Sequence, residues 1–175
     1  HRGTPAVRCP MVRQDRLEGL HINRIRFLME EKAKQVLSKL EAQCSRREYC
    51  RADILKKALE RMNGDRDAAE EIVASLEADN FVSDLRYASA FAREKASLTG
   101  WGPVKISFAL KGKGIDAATV AGALAAVDPE KSGDKLRSIL ESKYRMLKGC
   151  GDVRLKLLKF ALSRGYDYDT VKKLV

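Results

Sequence analysis

Residues 104–124 read VKISFALKGKGIDAATVAGAL and residues 155–175 read LKLLKFALSRGYDYDTVKKLV, and laid on each other without a gap they are one pattern written twice. At a spacing of 51 positions Val104 meets Leu155, Lys105 meets Lys156, Ile106 meets Leu157, Lys113 meets Arg164 and Gly114 meets Gly165. Ile115/Tyr166, Asp116/Asp167, Thr119/Thr170, Val120/Val171 and Leu124/Val175 continue the match. Each copy holds an apolar stripe, a cation and glycine that suit a helix end, an aspartate that suits a helix start, and a second stripe. A looser third copy runs through Ile54, Ala58, Gly64 and Ile72, with extra residues at the turn. Self-similarity at this period predicts an array of stacked supersecondary units.

Outward from that repeat the chain reads as helix throughout. Apolar residues recur at steps of three and four, with little of the alternation that marks strands. The stripes begin with Ala33, Val36, Leu37, Leu40 and Cys44, then Ile54, Leu55, Ala58, Leu59 and Met62, then Ala69, Ile72, Val73 and Leu76. A fourth to sixth follow at Leu85, Ala88, Phe91 and Ala92, at Val104, Ile106, Ala109 and Leu110, and at Val120, Ala121, Leu124 and Val127. The last three are Leu136, Ile139, Leu140, Tyr144 and Leu147, then Leu155, Leu158, Ala161 and Leu162, then Val171 and Leu174. The expected fold is all-α: about nine short helices in three tandem three-helix repeats, forming an elongated, curved array. The expected boundaries are 29–83, 84–130 and 131–175.

Composition bounds the function. The chain has 175 residues, 45% of them hydrophobic, with four Pro, and is too apolar for simple disorder. Its longest stretch without a formal charge, Ala117 to Val127, is well short of the roughly 18 to 20 apolar residues a bilayer-spanning helix needs. Cys9, Cys44, Cys50 and Cys150 have neither zinc-ligand spacing nor a secretory pattern ahead of them, so structural thiols in a reducing cytoplasm are expected. No cofactor and no metal are expected.

The net charge of +10 is uneven. Residues 1–28 carry +4, residues 29–83 carry −2, residues 84–130 carry +1 and residues 131–175 carry +7. Such asymmetry points to a partner with a negative surface. The N-terminal segment 1–28 lacks a clean helical period, and we expect it to be a basic, disordered or extraneous stretch with the natural start close to Met29.

Catalytic signatures are missing. Gly112-Lys113-Gly114 satisfies neither a P-loop nor a dinucleotide fingerprint and reads as a helix end. No Gly-x-Ser-x-Gly elbow occurs, and both histidines, His1 and His21, lie in the N-terminal segment. A non-enzymatic binding protein is expected. In 154–159 Lys156 and Lys159 share one edge, with Ser163, while Leu155, Leu158 and Leu162 share another.

Longer strings carry a resemblance. Ser45 to Cys50 (SRREYC), Asn80 to Lys95 (NFVSDLRYASAFAREK), Gly100 to Ile106 (GWGPVKI), Leu110 to Asp116 (LKGKGID) and Ala161 to Tyr166 (ALSRGY) together resemble the RecX family of bacterial recombination regulators. The resemblance covers about residues 30–175. It implies a regulator, with a role in DNA repair, recombination and the SOS response, that binds the RecA recombinase filament along its groove and blocks its growth, ATPase and strand exchange. A monomer is the expected state, with single- or double-stranded DNA as a further candidate partner and no membrane. Candidate contacts are Arg93, Lys105, Lys111, Lys113, Arg145, Lys148, Lys156, Lys159 and Arg164. Phe81, Asp84, Arg86, Phe91, Trp101, Gly102, Gly114 and Gly165 are the expected structural motif, and Phe81, Phe91, Trp101 and Phe108 are expected to hold the helices together. The competing reading is a DNA-binding module of helix-turn-helix type, since short helices, glycine turns and flanking lysines describe that class as well.

Overall fold

The structure is a computed structural model that describes residues 14–174, and side chains from residue 26 onward. The expectation for residues 1–13 therefore lies outside the described residues. Among those described there are nine α-helices, one π-helical turn and no strand. They are α1 (Gln14–Cys44), α2 (Arg51–Arg61), α3 (Arg66–Ala78), α4 (Asp84–Glu94), α5 (Pro103–Gly112), α6 (Ala117–Ala125), α7 (Pro129–Leu147), α8 (Val153–Ser163) and α9 (Tyr168–Lys172). The π-turn, Lys95–Thr99, continues α4. The helices are not all short: α1 runs 31 residues and begins well ahead of residue 29. Val36, Leu40 and Cys44, four residues apart, are its buried face, whereas Phe27, Leu28 and Met29 stand exposed.

Three separate cores follow one another. The first gathers α1, α2 and α3 around Leu40, Ile54, Ala58, Val73 and Leu76. The second packs Ala88 and Ala92 of α4 against Ile106 and Leu110 of α5 and Val120 and Ala123 of α6. The third joins Leu136 and Leu140 of α7 to Leu157 and Ala161 of α8 and Val171 of α9. The fully buried alanines Ala58, Ala88, Ala92, Ala123 and Ala161 put little side-chain bulk between these helices. Cys50 precedes α2 in the chain but is buried in the second core, so the units interlock.

The repeat is gapless in all three units. Helices α2, α5 and α8 end with cap residues Met62, Lys113 and Arg164. The next residues, Asn63, Gly114 and Gly165, are all left-handed, at φ of 56°, 79° and 88°. The amides two residues beyond the caps, of Gly64, Ile115 and Tyr166, donate back to Leu59, Leu110 and Ala161 at 2.8, 3.3 and 3.3 Å. Asp65, Asp116 and Asp167 then cap α3, α6 and α9 by accepting from Ala68, Thr119 and Thr170 at 3.1, 2.9 and 2.8 Å. The expected extra residues in the first unit's turn are therefore absent. Asn, which tolerates the left-handed region, takes the glycine's place, and Gly64 stands where Ile115 and Tyr166 bury apolar side chains.

Two stripes face another way than the sequence suggested. In α5 the buried residues are Ile106 and Leu110, while Val104 is 60% exposed. In α8 they are Leu157 and Ala161, leaving Leu155 and Leu162 exposed. Leu85, at the start of the fourth stripe, is also exposed. Phe108 does not hold helices together: it lies on the outward side of α5, 81% exposed.

Candidate partner-binding surface

The geometry of the basic candidates begins at the joints between units, because several of them are used there. The first joint is made of side chains. The Asp84 carboxylate accepts from the backbone amide of Arg51 at 2.7 Å, satisfying one of the free donors at the start of α2. Arg86 donates to Glu48 at 3.0 Å and to the Asn80 carbonyl at 2.8 Å. Lys113, at the end of α5, donates to Asp53 on α2 at 2.7 Å and lies 5.6 Å from the centre of the Tyr87 ring. Burial alone would raise the Asp53 carboxyl, but hydrogen bonds from Lys113 and Cys50 and the Lys113 charge outweigh it and hold the group below its ordinary value. The Asp53 hydrogen bond raises Lys113 in turn, and burial pushes the Tyr87 phenol and the Cys50 thiol up.

The second joint is made of backbone. The amides of Gly102 and Val104, free donors at the start of α5, donate to the carbonyls of Arg164 and Gly165 at 2.8 and 3.0 Å. Helix start thus meets helix end, pairing unused donors with unused acceptors and opposite ends of two helix dipoles. Only glycine fits the crossing. A Cβ on Gly102 would stand 2.3 Å from the Gly165 carbonyl oxygen, and one on Gly165 would stand 2.3 Å from Lys105 Cβ. Arg164 reaches across to donate to the Thr99 carbonyl at 3.0 Å and covers the Phe160 ring at 5.1 Å. That carbonyl belongs to the π-turn, where Ser97 and Thr99 hydroxyls donate to Arg93 and Lys95 carbonyls at 2.6 and 2.7 Å and draw the backbone out of α-helical pairing. Gly100, at φ 65°, closes the turn against Ile139 of α7.

Of the structural motif, Gly102 and Gly165 form this crossing, Asp84 and Arg86 the first joint, and Gly114 a left-handed turn in open space. Phe81 packs on the first core, and Phe91 stacks on Tyr87 and meets Trp101 edge-on at 6.3 Å in the second. The nine basic candidates divide. Lys113 and Arg164 are joint residues, and half-buried Lys105 covers the Trp101 ring at 4.6 Å. Arg93, Lys111, Arg145, Lys148, Lys156 and Lys159 are exposed, and none forms an ion pair among the described residues.

The sequence reading missed what stands beside those cations. Val104, Phe108 and Lys111 recur at steps of four and three along α5, on one face. Leu155, Lys159 and Leu162 occupy the same positions of α8, at 48% and 41% exposure for the two leucines. Neither helix contains an acidic residue, whereas their counterpart α2 contains Asp53 and Glu60. The absence of acids in α5 and α8 was the legible signal. Among the described residues no group of three or more His, Cys, Asp or Glu is placed to hold a metal ion, and no helix is long and apolar enough to cross a membrane.

Comparison with known proteins gives a consistent set of relatives. The family profile described as RecX, second three-helix domain, matches residues 83–124. The protein named regulatory protein RecX of Clostridium perfringens (strain 13 / Type A) is 30% identical over 113 residues, which is 62% of this chain and 52% of the relative. Its namesake in Neisseria meningitidis serogroup B is 29% identical over 130 residues, 73% of this chain and 80% of the relative. The chain spans about half the length of the clostridial relatives it matches. A crystal structure of regulatory protein RecX superposes with a TM-score of 0.77 at 19% identity, covering 87% of this chain and 75% of that one. The crystal structure of RecX from Lactobacillus salivarius gives 0.70 at 19%, covering 82% and 94%.

Proposed function

We propose, from the premise that this chain belongs to the RecX family, that it is a non-enzymatic regulator that binds the RecA recombinase filament and inhibits its growth, ATPase and strand exchange. It would do so as a cytoplasmic monomer and thereby modulate recombination and DNA repair. The observation that carries the reading is that acid-free, outward-facing α5 and α8 are carried on an array whose relatives are named as regulators. A row of units joined by fixed crossings is suited to a partner that itself repeats. Contacts of modest strength on successive units then act together, each raising the effective concentration of the next. The exposed candidates Arg93, Lys111, Arg145, Lys148, Lys156 and Lys159 are proposed contacts. Lys105, Lys113 and Arg164 would act by fixing the geometry on which those contacts stand.

The test is RecA's DNA-dependent ATPase measured alongside a mobility shift of naked DNA. Inhibition at concentrations well below those that shift DNA is the expected result. Coincident concentrations for the two effects would replace this reading with simple competition for DNA by a helix-turn-helix-type module. Absence of any association with RecA would overturn it outright.

A further inference from the structure

The outward faces of α5 and α8 carry two features that solubility alone does not require. Four large apolar side chains, Val104, Phe108, Leu155 and Leu162, are exposed, with Phe108 the most exposed large apolar residue among those described. Around them Lys111, Arg154, Lys156 and Lys159 are exposed and unpaired, on helices that hold no acid to neutralise them. The end of α8, at Arg164 and Gly165, meets the start of α5, at Gly102 and Val104, through the backbone bonds of the crossing. The two faces occupy equivalent positions of successive repeats, on helices joined end to start. At the α5 end a groove of about 440 Å³ is lined by Pro103, Val104, Ser107, Phe108, Lys111 and Leu124.

The chemistry discriminates between occupants. A nucleic-acid backbone needs cations, and single strands add aromatic platforms on which bases stack. Only one of the four apolar residues is aromatic, and aliphatic Val104, Leu155 and Leu162 offer a base no stacking surface. Aliphatic side chains alternating with lysines match a polypeptide that presents apolar residues interleaved with carboxylates. In the first unit the equivalent positions are Asp53, Lys57 and Glu60, with Asp53 committed to Lys113, so the surface belongs to the second and third units only.

We infer that the outward faces of α5 and α8 form one docking surface for an acidic, apolar-faced segment of a protein partner, with Val104, Phe108, Leu155 and Leu162 receiving its apolar side chains and Lys111 and Lys159 its carboxylates. The inference deepens the reading above and rests on it, since the RecA filament supplies the partner. The variant Val104→Ser/Phe108→Ser tests it, because both side chains are exposed and their loss leaves the cores intact. Binding to RecA filaments preassembled on single-stranded DNA and binding to a bare oligothymidylate would be measured in parallel, with circular dichroism to check helical content. Burial of an exposed phenylalanine and valine predicts filament binding weakened about ten-fold or more, with oligothymidylate binding unchanged. A wild-type chain that binds the filament and a variant that binds it equally well overturn the docking surface and leave the RecA reading standing. A parallel loss of both affinities overturns it in favour of nucleic acid. A wild-type chain that does not bind the filament at all overturns both together.

Discussion

Replacing Gly102 by alanine isolates the crossing between the second and third units. Gly102 has φ −81°, a conformation alanine adopts freely, so the substitution brings no backbone penalty of its own. It brings one methyl group, placed 2.3 Å from the Gly165 oxygen, 2.4 Å from its carbonyl carbon and 2.5 Å from the Tyr166 nitrogen. All three are backbone atoms, so the third unit has to move away. That movement removes the bonds from Gly102 and Val104 to Arg164 and Gly165 and the bond from Arg164 to Thr99. At about 1 kcal/mol net for each neutral bond, and somewhat more for the guanidinium, the coupling lost is about 3 kcal/mol. Hydrogen exchange reads it directly. The Gly102 and Val104 amides should exchange about 100-fold faster relative to those of the first core, since each 1.4 kcal/mol is a factor of ten. Gly114→Ala is the matched control. Its φ of 79° is unfavourable for alanine, but a Cβ there meets nothing within 4 Å, so it should cost about 1 kcal/mol locally and leave the crossing amides protected. Unchanged exchange at Gly102 and Val104 in Gly102→Ala would refute the view that this crossing holds the third unit.

Three further outcomes are expected. Lys113→Met removes the ion pair to Asp53 across the first joint and should cost about 1 kcal/mol in urea denaturation, discounted for partial exposure; an unchanged midpoint would remove Lys113 from the joint. The Asp116 and Asp167 carboxyls are held below their ordinary value by the hydroxyls and amides of Thr119 and Thr170. Their contribution is full above the unfolded-state value and is lost as pH falls through the depressed folded-state value. Asp116→Asn/Asp167→Asn keeps a capping side chain while removing that titration, so its melting temperature should fall less steeply below the ordinary carboxylate value than the parent's; equal slopes would contradict this. Lys156→Glu/Lys159→Glu should change stability by no more than about 0.5 kcal/mol, since both positions are exposed. The inhibition of RecA ATPase proposed for this chain should nevertheless weaken, and full inhibition would move the proposed contact surface elsewhere.

What could be read from the sequence depended on how local the cause was. Caps at Asp116 and Asp167 and the stripes Ile54/Ala58 and Ala69/Ile72/Val73/Leu76 were legible because neighbouring residues decide them. The first unit's turn is not legible in the sequence because Asn63 does the work expected of a glycine, which hides a continuous match. The buried faces of α5 and α8 are hidden for another reason. Apolar residues occur all round these helices, so periodicity cannot choose the buried face, and packing against α4 and α6 in one case and α7 and α9 in the other does. For the same reason the sequence does not reveal that Phe108 faces outward. Among the cations, what separated joint residues from free ones was a partner far along the chain. Lys113 finds Asp53 at a separation of 60 residues and Arg164 finds the Thr99 carbonyl at 65.

The joints also run one way. In each, the turn that ends a later unit's middle helix reaches back to the beginning of the earlier unit's middle helix, with Lys113 at one joint and Arg164 at the other. The first unit has Met62 and Asn63 at that position and so lacks the cation such a reach employs. The units are consequently not interchangeable: a chain with its first two units transposed would place Met62 where the backward-reaching cation belongs and lose that connection. The array has a head and a tail, so its two orientations along a partner that is itself polar are not equivalent.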